Sequence, residues 1–107
     1  MYEANLPSGH IIISPYTHAA FAKGGAVPLG GGKYTAFADH DSPANEAVMA
    51  SLGRPCSIVA VPVIAGAAVN DAIYASAAGV LSKTDSGAFY GVVVDADSEI
   101  TRVVCLA

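Results

Sequence analysis

Short runs of apolar and β-branched residues recur along the chain, separated by turns that contain glycine, proline, aspartate and serine. Runs of this length between turn residues are typical of β-strands, and no long amphipathic helix is present to build parallel βαβ units. The predicted strands cover residues 9–14, 16–23, 33–38, 56–63, 72–76, 80–84, 88–95 and 100–107. This pattern predicts a mainly β fold, a small single-domain barrel or sandwich of short antiparallel strands with at most one or two short helices.

The segment 42–53 fits two structures. Ser42 followed by Pro43 would begin a helix, and Gly53 would end it. Against a helix, apolar residues alternate with other residues as in a half-buried strand, at Val48, Ala50 and Leu52. Both interpretations stay open at the level of sequence.

The glycine-rich stretch before Lys33 resembles a phosphate-binding loop but lacks its parts. A P-loop needs a first glycine where Val27 stands, a Ser or Thr where Tyr34 stands, and a helix after the lysine. The residues that follow, YTAFA, are typical of a strand. We therefore predict a turn between two strands, where positive φ suits glycine, and no nucleotide or other cofactor.

The composition indicates a surface that is partly covered by other protein. The 107 residues suffice for one domain. Only 13% of them are charged, against roughly 25% in soluble domains, while 53% are hydrophobic. A thin coat of charge is typical of an oligomer or a lattice component. The net charge of −4 and the scattered lysines and arginines argue against direct binding of nucleic acid.

Neither a membrane segment nor a secretory signal is predicted. The longest apolar run, residues 58–69, is too short to span a bilayer and contains Pro62 and Gly66. The first five residues lack a basic n-region. Cys56 and Cys105 form no C-x-x-C pair, and we expect both to be small buried hydrophobic residues.

Two acidic clusters are the parts of the sequence most similar to a metal site. The Asp39-His40-Asp41 run does not continue into an EF-hand loop, so we expect an aspartate-rich turn whose carboxylates cap backbone amides. Asp95, Asp97 and Glu99 alternate and would share a face, either as a weak calcium site or as a solvated hairpin end. No local motif for a catalytic nucleophile or a structural metal is present, so no catalytic, cofactor or metal residue is predicted.

The C-terminal half resembles the head decoration, or capsid cement, proteins of tailed phages, of the lambda type. The strands and turns that carry the resemblance are NDAIY (70–74), AAGVLS (77–82), YGVVVDA (90–96) and ITRVVCL (100–106). Upstream, YTAFAD (34–39) and CSIVAVP (56–62) are similar to two further strands of that family, whereas the N-terminal third matches poorly. Asn70 stands where the family usually has glycine.

The resemblance implies a viral structural protein without enzyme activity. Such proteins are made in the bacterial host cytoplasm and bind as homotrimers to the outer surface of the expanded head. There they stabilise the shell of major capsid protein against internal DNA pressure. No membrane, nucleic acid or small-molecule substrate is expected as a partner. The alternatives are a small β-barrel binding module of the phage particle, for a host glycan or another structural protein, or a small enzyme.

The N-terminal residues are the predicted capsid contact. One hypothesis makes residues 1–16 an arm that orders on the shell, with residues 17–107 as the β-rich domain. In that hypothesis the isoleucine run pairs with an edge strand of a capsid subunit, and nearby apolar side chains anchor it. The alternative is an ordinary first strand of the barrel. The predicted contact residues are Tyr2, Leu6, Ile11, Ile12, Ile13 and Tyr16.

Overall fold

A computed structural model describes residues 3–6, 9–13, 16–53, 55–85 and 87–106. Strands are the only regular elements within these ranges, which confirms the predicted β fold. They are β1 (Glu3–Leu6), β2 (His10–Ile13), β3 (Ala26–Leu29), β4 (Tyr34–Ala38), β5 (Val48–Ser51), β6 (Cys56–Pro62), β7 (Ala72–Ala75), β8 (Leu81–Ser82), β9 (Ala88–Ala96) and β10 (Ile100–Cys105).

The strands form two antiparallel sheets. The six-stranded sheet has the order β1-β6-β10-β9-β7-β8, and the four-stranded sheet has the order β2-β5-β4-β3. The chain therefore begins in the first sheet, builds the second with four consecutive strands, and returns to complete the first. In the four-stranded sheet the consecutive strands β3, β4 and β5 lie side by side, and β2 lies beside β5 although the chain runs from β2 to β3 at the opposite edge. This is Greek-key order.

The main core lies between the two sheets, because its buried side chains come from both of them. Alternation places every second residue of β2, β3, β4 and β5 in this core and the others on the opposite face. The buried members from the strands are Ile11, Ile13, Val27, Leu29, Ala36, Ala38, Val48, Ala50, Cys56, Val92, Val94 and Val104. A smaller cluster, formed by Ile64, Ile73, Val93 and Val103, packs on the other face of the six-stranded sheet.

The segment 42–53 is resolved in favour of a strand. Val48 and Ala50 are fully buried while Met49 between them is partly exposed, the pattern of a strand with one face on the core. Of the two interpretations left open, the helix is excluded: Asn45 has a positive φ of 61° and lies in a turn. Burying alternate residues between two sheets outweighs the helix propensity of this stretch.

The predicted strand at residues 16–23 is wrong. This segment makes one isolated bridge, from Phe21 to Ser42, and otherwise has no strand pairing. Its aromatic side chains pack on one another instead: the His18 ring lies 4.5 Å from the Tyr16 ring and 5.0 Å from the Phe21 ring, between centroids. Conversely, residues 26–29, which lie outside the predicted strands, form β3.

The glycine-rich stretch is a turn that joins β3 to β4, as predicted. Gly30, Gly31 and Gly32 have φ values of 61°, 69° and 96°. A Cβ on Gly30 would come within 3.2 Å of the Ala72 Cβ, so this glycine also allows the turn to pack closely on β7. A strand follows Lys33, where a P-loop would have a helix.

Candidate binding surface

The solvent-facing side of the four-stranded sheet, here called the outer face, carries large apolar side chains that are exposed to solvent. Ile12 is 60% exposed, Phe37 52% and Met49 38%. These residues lie on three different strands, β2, β4 and β5. Large apolar residues scattered singly are ordinary on a protein surface, whereas a group on one sheet face indicates a contact surface.

Strand register brings these side chains together. Ile12 lies directly opposite Met49 in the β2–β5 pair, and Phe37 lies opposite Ser51 in the β4–β5 pair. Phe37 also faces Ala26 across the β3–β4 pair. The apolar side chains therefore form one patch across the whole width of the sheet, since directly opposed residues lie about 5 Å apart.

The outer face is almost uncharged. None of the residues in the four strands of this sheet is Asp, Glu, Lys or Arg. Polar character comes from Thr35, Ser51 and His10, whose Nε2 lies 3.6 Å from Asp39 Oδ1 at the end of β4. Covering it removes apolar area from solvent, and the carboxylate that would be covered with it, that of Asp39, lies beside the His10 imidazole.

A second apolar surface lies on the six-stranded sheet. It is a groove of about 570 Å³ whose lining contains no charged side chain. Val63, at its rim, is 48% exposed. The lining residues are Val59, Val61, Pro62, Val63, Ile64, Gly79, Leu81 and Tyr90.

The structure separates the predicted contact residues. Ile11 and Ile13 are buried in the main core, while Ile12 between them faces solvent. Tyr16 is partly buried against the same core; burial raises the pKa of its hydroxyl, which has no hydrogen-bond partner among the described residues. Leu6 ends β1, and Tyr2 lies outside the described residues. With β2 in this sheet, Ile12 is the isoleucine available to a partner.

Sequence reasoning missed Phe37 and Met49. Both stand between two small or branched residues that are buried, at Ala36 and Ala38 and at Val48 and Ala50. Alternation alone would have placed them on the solvent side of a strand. What sequence could not provide was the pairing of β4 with β5, which puts them on one face with Ile12.

The acidic clusters lie at the ends of strands β4 and β9. Asp41 Oδ1 accepts a hydrogen bond of 2.8 Å from the Lys23 amide, which is the capping role predicted for it. Asp97 Oδ1 accepts from the amides of Glu99 and Ile100, and these bonds hold the pKa of its carboxyl below the ordinary value. Asp95 pairs with Arg102 at 3.2 Å. Within the described residues no group of three potential metal ligands comes together.

In the described part of the chain, no helix is both long and apolar enough to cross a membrane. The chain matches no protein-family model, no curated protein and no solved structure.

Proposed function

We propose that the protein is a structural protein of a tailed-phage virion, a capsid decoration protein that binds as a homotrimer to the outer surface of the expanded head. The outer face carries this proposal: an uncharged sheet face with Ile12, Phe37 and Met49 in the open fits contact with another protein. The resemblance of residues 67–107 to decoration proteins supplies the identity of that partner, the major capsid protein.

The outer face would act by losing water. Burial of apolar surface contributes about 25 cal/mol per Å², so covering the exposed parts of three large side chains contributes on the order of 5 kcal/mol before the costs of association. A single contact of this size is weak. Three copies joined in one trimer bind a threefold site of the shell far more tightly, because the second and third contacts are effectively intramolecular.

Shell binding is tested by electron microscopy of expanded heads, assembled from the major capsid protein of the same virus, with and without added protein. The expected result is added density at local threefold positions and an elevated disruption temperature of the shell. Binding to free capsid subunits should be much weaker than binding to intact shells. Heads that gain no density contradict the proposal, and so does equally tight binding to free subunits.

The role of the first residues is tested separately. If residues 1–16 act as an arm, deletion of residues 1–8 should lower the occupancy of the shell while the rest of the fold persists. Circular dichroism and thermal unfolding report the fold, and density at the threefold sites reports occupancy. Undiminished occupancy refutes the arm and leaves the decoration function to the folded domain.

A further inference from the structure

The four-stranded sheet has two edges, β2 and β3, and hydrogen bonds fix which backbone groups point out of each edge. The Leu52 amide donates to the Gly9 carbonyl at the β5–β2 pair. In an antiparallel pair, every second residue exchanges hydrogen bonds with its partner, so Ile11 and Ile13 bond to β5. The N–H and C=O groups of His10 and Ile12 therefore point away from the sheet.

The same reasoning applies to β3. The Ala38 amide donates to the Gly25 carbonyl, so every second residue from Gly25 bonds to β4. The outward residues of this edge are Ala26 and Pro28.

The β3 edge is blocked at Pro28, one of its two outward residues. Pro28 has no N–H, and its carbonyl accepts a hydrogen bond of 3.2 Å from the Asn70 amide nitrogen. Asn70 Oδ1 in turn accepts from the Gly30 amide at 3.1 Å, which holds the asparagine in place beside the edge. Proline and a covering side chain are common means by which proteins block strand edges.

The β2 edge is open. Both of its outward residues, His10 and Ile12, are exposed. Among the hydrogen bonds of the described residues, none engages the outward N–H or C=O of either one. An unblocked edge with β-branched residues is a site for an added strand.

We propose that the β2 edge accepts an extended segment of the capsid subunit as a fifth strand of this sheet. The inference rests on the proposed function and names the contact that the decoration role would use. It differs from the arm hypothesis, because β2 stays paired with β5 and receives a strand instead of leaving the domain to join one. The β2 edge, where neither outward residue is blocked, thereby faces the shell, and the β3 edge, blocked at Pro28, lies at the opposite side of the sheet.

The geometry defines the chemistry of the incoming segment. Two outward residues offer two N–H and two C=O groups, enough for four backbone hydrogen bonds to a segment of about four residues. On one face its side chains would lie beside Ile12, and on the other beside the core residues Ile11 and Ile13. Apolar, preferably β-branched, residues on both faces satisfy these neighbours.

Hydrogen exchange tests the contact in the unmodified protein. In free protein, the amides of His10 and Ile12 should exchange fast and those of Ile11 and Ile13 slowly. On expanded heads assembled from the major capsid protein of the same virus, exchange at His10 and Ile12 should slow at least tenfold, while exchange at the Ala26 amide at the opposite edge stays unchanged.

Proline variants give a matched pair. Ile12→Pro removes an outward N–H of β2, and Ala26→Pro removes an outward N–H of β3, so neither breaks a ladder bond of the sheet. We expect I12P to lose at least tenfold in affinity for heads and A26P to bind like the parent. Ile12→Thr keeps the N–H and shows how much of the loss comes from the side chain. Thermal unfolding verifies that each variant is folded.

Unchanged exchange at His10 and Ile12 on heads that retain the protein would overturn the inference and leave the decoration function standing. Protection of these amides already in the free oligomer would also overturn it, because β2 would then pair with a second copy. Heads that do not retain the protein at all would overturn both proposals.

Discussion

Asn70 joins the two sheets. Its amide nitrogen in the backbone donates to the Val93 carbonyl of β9, and its side chain bonds to Gly30 and Pro28 at the end of β3. Its φ of 72° lies in the left-handed region, which asparagine tolerates better than most residues and glycine tolerates best. Asparagine thus adopts a backbone conformation that glycine would also allow, and its side chain adds two hydrogen bonds.

Replacing Asn70 separates these two contributions. Asn70→Gly keeps the backbone conformation and loses the side-chain bonds, which should lower the free energy of unfolding by about 1–2 kcal/mol. Asn70→Ala loses the bonds and adds left-handed strain, for a further cost of about 1 kcal/mol. Urea unfolding of the two variants measures the difference. If N70A is as stable as N70G, the backbone account is wrong.

Gly91 is required for a different reason, close approach of backbone. A Cβ at this position would overlap the Val104 carbonyl oxygen in the neighbouring strand β10. We expect Gly91→Ala to lower the free energy of unfolding by at least about 3 kcal/mol, because backbone must shift in the centre of a sheet. Gly31→Ala is the control. A Cβ at this position meets no neighbouring atom, and only the positive φ of 69° disfavours it, so the variant should lose about 1 kcal/mol of unfolding free energy. Equal losses in the two variants would contradict this account.

At the scale of elements, each strand of the four-stranded sheet divides its residues between core and solvent. In β2, Ile13 is fully buried and Ile12 is 60% exposed, although the two side chains are chemically identical. One side of the strand thus packs on the core, and the other side is exposed to solvent. The β9–β10 hairpin shows the corresponding role of a turn residue, since Asp97 accepts two amide hydrogen bonds between the strands.

The isoleucines of β2 should respond differently to truncation. Ile13→Ala leaves a cavity between the sheets and should cost about 3 kcal/mol of unfolding free energy, whereas Ile12→Ala should cost less than about 1 kcal/mol. Among folded molecules, Ile12→Ala should weaken binding to the shell more than Ile13→Ala does. Thermal unfolding measures the stability of each variant, and retention on heads measures its binding. Similar losses of stability in the two variants would mean that β2 does not pair with β5 in this register.

Asp97 makes the hairpin sensitive to acid. Because hydrogen bonds lower the pKa of its carboxyl in the folded state, ionised Asp97 favours folding above its ordinary pKa, and this contribution is lost as the pH falls through the lowered value. Asp97→Ala should therefore unfold at a lower temperature than the parent at neutral pH. The gap should narrow on acidification below the ordinary pKa. A gap that stays constant down to strongly acidic pH would show that the charge of Asp97 is not involved.

At the scale of the whole molecule, charge and apolar surface are unevenly distributed. The four-stranded sheet has no Asp, Glu, Lys or Arg in its strands, whereas the six-stranded sheet carries the Arg102–Asp95 pair. This distribution is the reason that the proposed protein contact is assigned to the outer face.

A double substitution on the outer face tests this distribution. Phe37→Ser with Met49→Ser should leave the free energy of unfolding within about 1 kcal/mol of the parent, since both side chains face solvent. Binding to heads should fall at least tenfold. Val80→Ser is the control, because Val80 is 62% exposed and lies away from this sheet, beyond β7. Sedimentation reports oligomeric state, and undiminished binding would remove the outer face from the proposed function.

The sequence by itself determined the class of fold and most of its strands. Alternating apolar residues, β-branched runs and turn residues act locally, so β2, β4, β6, β7, β9 and β10 were predicted close to their observed bounds. The same local chemistry identified the glycine turn, whereas the amide that Asp41 caps, that of Lys23, lies 18 positions away in sequence. Local rules failed at residues 16–23, where aromatic packing replaces strand pairing.

Only the tertiary structure decided which strands pair and which surfaces remain exposed to solvent. Val48–Ser51 becomes a strand because a second sheet covers one of its faces, and Phe37 joins Ile12 because β4 and β2 flank β5. The contrast between the blocked and open edges depends on Asn70 reaching Pro28 across forty-two positions of sequence. Such contacts are set by packing of distant segments, and no local pattern of residues specifies them.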